Sequence, residues 1–189
     1  MIRPGCAYRG RIELICGCMF SGKSELLIER VRDACRRVTA VAVFKHAADT
    51  RYDHHDIVTH GHERLAAAAI RRSAELLDRA ADAEVVAIDE AQFFDEELPD
   101  TCRRLAEQGK RVIVAGLDRD SWGLPFGPVP ELARLADAVT HTTARCARCG
   151  SRAENTQRLT PIVETMIGGE GDYEPRCERC FIPPPESRR

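Results

Sequence analysis

Arg11-Ile12-Glu13-Leu14-Ile15-Cys16-Gly17-Cys18-Met19-Phe20-Ser21-Gly22-Lys23-Ser24 decides the fold. Residues 11–16 form an apolar run of the length of a buried strand, and they lead straight into residues 17–24, which match G-x-x-x-x-G-K-[ST]. Gly17 and Gly22 let backbone N–H groups turn inward around a phosphate, with Cys18, Met19, Phe20 and Ser21 spanning the turn. Lys23 adds a point charge, and Ser24 offers a hydroxyl to magnesium. A helix predicted from Ser24 points its N-terminal dipole at the same anion. In a chain this size a chance match is on the order of one in a hundred, and the flanking strand and helix lower it further. The stretch predicts a nucleoside triphosphate site.

Outward from this loop, apolar residues at Leu27, Val31, Ala34, Cys35 and Val38 predict a helix over residues 24–38. Residues 39–44 read as a second buried strand, 45–62 as a polar loop, and 65–70 as a strand of small residues. Residues 73–81 read as a short helix capped by Ser73. Further strands are predicted at 84–89, 111–117 and 138–144, with helices at 99–108, closed by Gly109, and 131–136. Strands rich in Val, Ile and Ala alternating with helices predict an α/β fold with a mostly parallel sheet. The expected organisation is a lead-in over 1–10, an α/β nucleotide-binding domain over 11–144, a cysteine-bounded zinc-binding domain over 145–182, and a disordered tail over 183–189.

In phosphate-loop folds, a buried strand ending in an acid sets that acid beside the magnesium. Asp89, after Val85-Val86-Ala87-Ile88, meets this description. Glu90 follows, near the γ-phosphate, where it either activates a water or takes the proton of a substrate hydroxyl. The motif by itself leaves both reactions open.

Cys146-x-x-Cys149 is answered by Cys177-x-x-Cys180 across 27 residues. Two such knuckles suit one tetrahedral zinc, and four cysteines fill every position, so the site reads as structural. We expect it to clamp the intervening loop over a small substrate. Nine cysteines in all, an odd number, point to metal binding in a reducing, cytoplasmic setting rather than to disulfides. His46, His54, His55, His60 and His62 fall in the polar stretch without metal-ligand spacing and read as solvated loop residues. A net charge of −2 with no Lys/Arg run argues against nucleic acid as a partner, and no apolar run approaches the roughly 20 residues of a membrane span.

Taken in order, several tracts resemble the type II, cytosolic-type thymidine kinases: the phosphate loop, Asp49-Thr50-Arg51-Tyr52, Asp89-Glu90-Ala91-Gln92-Phe93-Phe94 and Gly116-Leu117-Asp118. Pro125-Phe126-Gly127, Gln157-Arg158-Leu159, Ile167-Gly168-Gly169 and the four cysteines continue the match from about residue 10 to 180. The resemblance implies transfer of the ATP γ-phosphate to the 5′-hydroxyl of thymidine, with Glu90 as general base and Asp89 serving Mg2+. It also implies that Asp49, Thr50, Arg51 and Gln92 attend the ATP side, with Arg51 close to the reacting groups as well. Met19, Phe93, Leu117, Ser121 and Thr156 correspond to the thymine pocket. Glu164, Thr165, Met166, Ile167, Gly168 and Tyr173 correspond to the loop that closes over the base. A structural Zn2+, a homotetramer and feedback inhibition by dTTP are further implications.

Three departures stand out. Cys18 replaces the usual proline of the loop, Glu25 is followed directly by Leu26, and the aromatic expected at Ser121 is found at Trp122. Two other readings remain beside the kinase: a DNA-linked ATPase whose zinc module reads nucleic acid, and an interaction module that holds nucleotide only structurally. The near-neutral charge counts against the first and the intact Asp89-Glu90 pair against the second.

Overall fold

The computed structural model describes residues 10–37, 40–49, 56–58, 64–161 and 171–185. Its centre is a six-stranded sheet with spatial order β5-β2-β6-β7-β1-β8, every neighbour parallel. The strands are β1 (Arg11–Gly17), β2 (Val41–His46), β5 (Ala68–Ile70), β6 (Val85–Asp89), β7 (Arg111–Gly116) and β8 (Ala138–Thr142). Their alternation sorts the core into two layers. Leu14, Val86, Ile88, Val112 and Val114 face one side, where they meet α2 (Glu75–Arg79), α3 (Leu98–Glu107) and α4 (Val129–Leu135) through Leu76, Leu98, Leu105, Val129 and Leu132. Ile15, Val85, Ala87, Ile113 and Ala115 face the other, where α1 (Lys23–Cys35) lays down Leu27, Ile28, Val31 and Ala34. Covered on both faces, the strands are continuous apolar runs, as a parallel sheet requires.

Four local expectations change. Residues 65–70 are two strands in different sheets: β4 (Arg64–Ala66) pairs antiparallel with β3 (Asp56–Val58), whereas β5 joins the central sheet after a break at Ala67. β3 lies inside the stretch expected to be loop, and Ile57 anchors it in the α1-side core. The second strand runs on through Lys45 and His46, because Lys45 pairs with Asp89 and His46 with Ile70. Ser73 does not cap α2. Its N–H donates to the Asp95 carboxylate at 3.0 Å and its hydroxyl to the same group, while the Glu75 carboxylate accepts the N–H groups of Arg71 and Arg72.

Beyond β8 the chain makes two small antiparallel pairs, β9 (Ala144–Arg145) with β10 (Arg152–Ala153) and β11 (Asn155–Arg158) with β12 (Tyr173–Arg176). Their shared apolar cluster is small: Cys146, Ala153 and Cys177, with Ala144 and Cys180 beside them.

Candidate active site

β1 delivers the phosphate loop at the carboxyl edge of the sheet. Gly17 sits at φ 145°, and a Cβ there would lie 2.2 Å from the carbonyl oxygen of Thr142, so no other residue fits. Gly22, at φ 81°, turns the chain into α1. The Lys23 ammonium folds back and donates to the carbonyl of Cys18 at 2.6 Å. Burial pushes its pKa down, and the carboxylates of Glu90, Asp89 and Asp118 act in the opposite direction.

The acidic end of β6 meets the start of α1. Ser24 Oγ donates to Asp89 Oδ2 at 2.9 Å, and Asp89 Oδ1 accepts the N–H of Glu90 at 2.9 Å. Two hard oxygen donors side by side at a helix N-terminus, next to a phosphate loop, fit Mg2+. Glu90 itself takes φ 56° and ψ 42°, a left-handed conformation unusual outside glycine. Gln92, nearly fully buried, donates from Nε2 to Glu90 Oε2 at 2.5 Å, and its Oε1 accepts the N–H of Leu117 at 2.9 Å. Both ends of its amide therefore hold the protein together at this edge, tying Glu90 to β7.

Residues expected around the nucleoside cluster in part. The Met19 N–H donates to Thr156 Oγ1 at 3.0 Å, with both residues buried. The ring of Phe93 stands edge-to-face with Phe126 at 5.9 Å between centroids, and Ser121 is buried in the loop after β7. Tyr173 is buried too, and its hydroxyl accepts from Arg158 at 2.8 Å. Asp49 sits 3.6 Å from the ammonium of Lys45, itself 1% exposed. Thr50, Arg51, Glu164, Thr165, Met166, Ile167 and Gly168 lie outside the described residues, as do His54, His55, His60 and His62. His46 is not a solvated loop residue. It closes β2 and packs edge-on against Phe94 at 4.9 Å.

The thiol sulfurs of Cys146, Cys149, Cys177 and Cys180 all lie within 4.8 Å of one another. A zinc–sulfur bond of about 2.3 Å sets tetrahedral sulfurs about 3.8 Å apart, so the four residues fit one zinc ion. Cys149 and Cys177, at 3.5 Å, are too far apart for a disulfide. Hydrogen bonds from Ser151, its hydroxyl first, bring Cys149 down to about 6, whereas burial and the neighbouring thiols push Cys180 up to about 12. Four adjacent thiols do not all ionise alone, and a dication supplies the missing charge.

Residues 10–181 match the family model described as thymidine kinase. The chain belongs to the thymidine kinase family. It is 47% identical to a thymidine kinase of Bacteroides thetaiotaomicron over 92% of this chain and 88% of that one. It is 48% identical to a thymidine kinase of a Rhodothermus strain over 93% of this chain and 83% of the relative. The crystal structure of the Pif1 helicase from Candida albicans superposes with a TM-score of 0.41 at 14% identity, over 75% of this chain and 39% of that chain.

Within this thymidine kinase family member, three residues at the edge were not singled out from sequence as site residues. Lys45 opens the stretch expected to be a polar loop, and its place in a buried strand shows only in its register opposite Asp89. Thr142 bonds both Ser21 Oγ, at 2.7 Å, and the carbonyl of Cys16, at 3.1 Å. Asp118 keeps Oδ1 buried without a hydrogen-bond partner among the described residues. Among those residues no helix is long and apolar enough to cross a membrane.

Proposed function

We propose that the protein transfers the γ-phosphoryl group of MgATP to the 5′-hydroxyl of thymidine, giving dTMP for DNA precursor synthesis. One observation carries the reading: the phosphate loop, Ser24, Asp89 and Glu90 occupy a single edge of the sheet, linked by hydrogen bonds of 2.9 Å. Bound Mg2+ supplies charge neutralisation on the β- and γ-phosphates. Backbone N–H groups of residues 17–22, that of Met19 excepted, cradle the phosphates, and Lys23 faces them with its ammonium. Ser24 and Asp89 present the metal-side oxygens. Glu90 takes the proton of the 5′-hydroxyl as that oxygen attacks, and Gln92 holds the receiving carboxylate in place. Arg51 attends the transferring phosphoryl group in this reading.

The thymine base then lies between Met19, Phe93, Leu117, Ser121, Thr156 and Tyr173, under the segment from Glu164 to Gly168. A zinc ion held by Cys146, Cys149, Cys177 and Cys180 supplies rigidity to the surrounding strands. A homotetramer, feedback inhibition by dTTP and a cytoplasmic location complete the proposal. They rest on the family resemblance.

The test is ATP turnover with magnesium in four parallel samples: thymidine, deoxycytidine, DNA and no acceptor. Stoichiometric dTMP with little idle hydrolysis is expected. Hydrolysis indifferent to thymidine would overturn the reading, and stimulation by DNA would favour an ATPase with a nucleic-acid-reading zinc module.

A further inference from the structure

The phosphate loop is gripped along its length by residues that bracket the zinc knuckles. Cys18 Sγ donates to the carbonyl of Ala153 at 3.4 Å, and the Met19 N–H donates to Thr156 Oγ1 at 3.0 Å. Ser21 Oγ and Thr142 Oγ1 lie 2.7 Å apart. Thr142 ends the strand before the first knuckle, Ala153 belongs to the strand that leaves it, and Thr156 lies on the strand paired with the one entering the second knuckle. Cys18, Met19, Ala153 and Thr156 are all buried, so water does not replace these bonds.

The strands that carry Ala153 and Thr156 cannot hold themselves. They are two and four residues long, and their apolar cluster consists mainly of the zinc-site cysteines and alanine. A few residues away stand the four cysteine sulfurs, all within 4.8 Å of one another. A loop that binds phosphate through backbone N–H groups depends on its backbone being held in one conformation beforehand. The Met19 N–H, moreover, is directed at Thr156 and not inward at a phosphate.

We propose that the cysteine module positions the phosphate loop, with Thr156 as the positioning residue, so that zinc sets the affinity for ATP and not only for the nucleoside. The module acts on the first substrate as well as the second. The proposal rests on zinc occupying the four thiolates and on ATP binding the loop; metal analysis and an ATP titration of the wild-type protein check each separately.

The experiment compares wild type, Thr156→Val and Thr156→Ser at equal zinc content, measuring the Kd for ATP by calorimetry without thymidine. Valine keeps the shape and removes the acceptor; serine keeps the acceptor. Thr156→Val is expected to bind ATP about three- to tenfold more weakly, the range of one lost hydrogen bond, and Thr156→Ser to restore it. An unchanged ATP Kd in zinc-replete Thr156→Val, with only the thymidine KM altered, would overturn the proposal. Should the valine variant fail to fold, hydrogen exchange on the wild-type protein decides. On zinc chelation, amides of residues 17–21 should lose protection together with those of 144–158, while those of 112–115 keep theirs. Loop protection indifferent to zinc would also overturn it.

Discussion

The sheet and the cysteine module solve the same problem, holding a few polar groups still, by opposite means. At the sheet edge, Asp89 and Glu90 stand at the end of a strand whose Val86, Ala87 and Ile88 are fully buried between two layers of helices. Val86 and Ile88 each contribute roughly 1.5–3 kcal/mol by burial, so position comes from apolar area. In the module, residues 144–145, 152–153, 155–158 and 173–176 form strands too short to bury such area, and four thiols lie within 4.8 Å of one another. Each device has its own failure mode: one loses stability gradually as methylene groups are deleted, the other, with the zinc proposed at its thiols, all at once when that ion is removed. The phosphate loop is fastened to both.

Removing zinc should therefore produce the largest effect. Structural zinc in small modules is worth on the order of 10 kcal/mol. Cys177→Ser is expected to abolish phosphoryl transfer and to expose the module to limited proteolysis while the far-UV signal of the sheet persists. Full activity in verified zinc-free protein would erase the distinction between the regions. Glu90→Gln comes next. It should lower kcat by roughly 10²-fold or more while ATP and thymidine Kd values stay near wild type. Steady-state kinetics with near-normal kcat would take the base role from Glu90.

A substitution in the sheet core should weaken the fold without releasing zinc. Leu105→Ala, at a fully buried position, is expected to lower unfolding free energy by about 3 kcal/mol in urea titration, with the metal content of the folded protein unchanged. A smaller effect belongs to Glu13. Burial alone would raise its pKa, but the Arg111 hydrogen bonds at 2.7 and 3.0 Å, with Arg11 and Arg30 beside it, outweigh this and hold the carboxyl below its usual range. A carboxyl lowered on folding stabilises above its unfolded pKa of about 4.3, and that contribution fades as pH falls through the lowered value. Glu13→Gln should cost about 2 kcal/mol at pH 7 and progressively less toward pH 3, again by urea unfolding. A gap between wild type and variant that stays constant over this range would mean that charge is not what Glu13 contributes.

Much of the sheet was legible because its signals are local. A strand of Val, Ile and Ala bounded by turns, an acid at its end and a glycine-rich loop before a helix each declare themselves within ten residues. What stayed hidden depends on distant partners. Ser73 has the chemistry of a helix cap, but Asp95, 22 residues on, takes its hydroxyl instead. Asp56-Ile57-Val58 is too short to register as a strand until Arg64-Leu65-Ala66 pairs with it. Both Met19 and Thr156 can be assigned to a pocket wall by resemblance, yet the bond between them joins positions 137 residues apart and no periodicity announces it. The same holds for His46, whose ring against Phe94 is invisible in a run of polar residues.

The place of β1 in the sheet order carries a consequence for how the chain is made. This strand leaves the ribosome well before its two neighbours, β7 and β8. The Ile12 N–H reaches the Asp137 carboxylate, 125 positions on. At about 5–20 residues per second, the strand that precedes the phosphate loop waits roughly 6–25 s for that partner to be synthesised. During that interval Leu14, Ile15 and Cys16 form an unpaired apolar edge on the nascent chain. The pairings that bury it have long sequence separation and are slow to form. The same place between β7 and β8 that holds the loop in the finished enzyme leaves it the last part of the sheet to be completed.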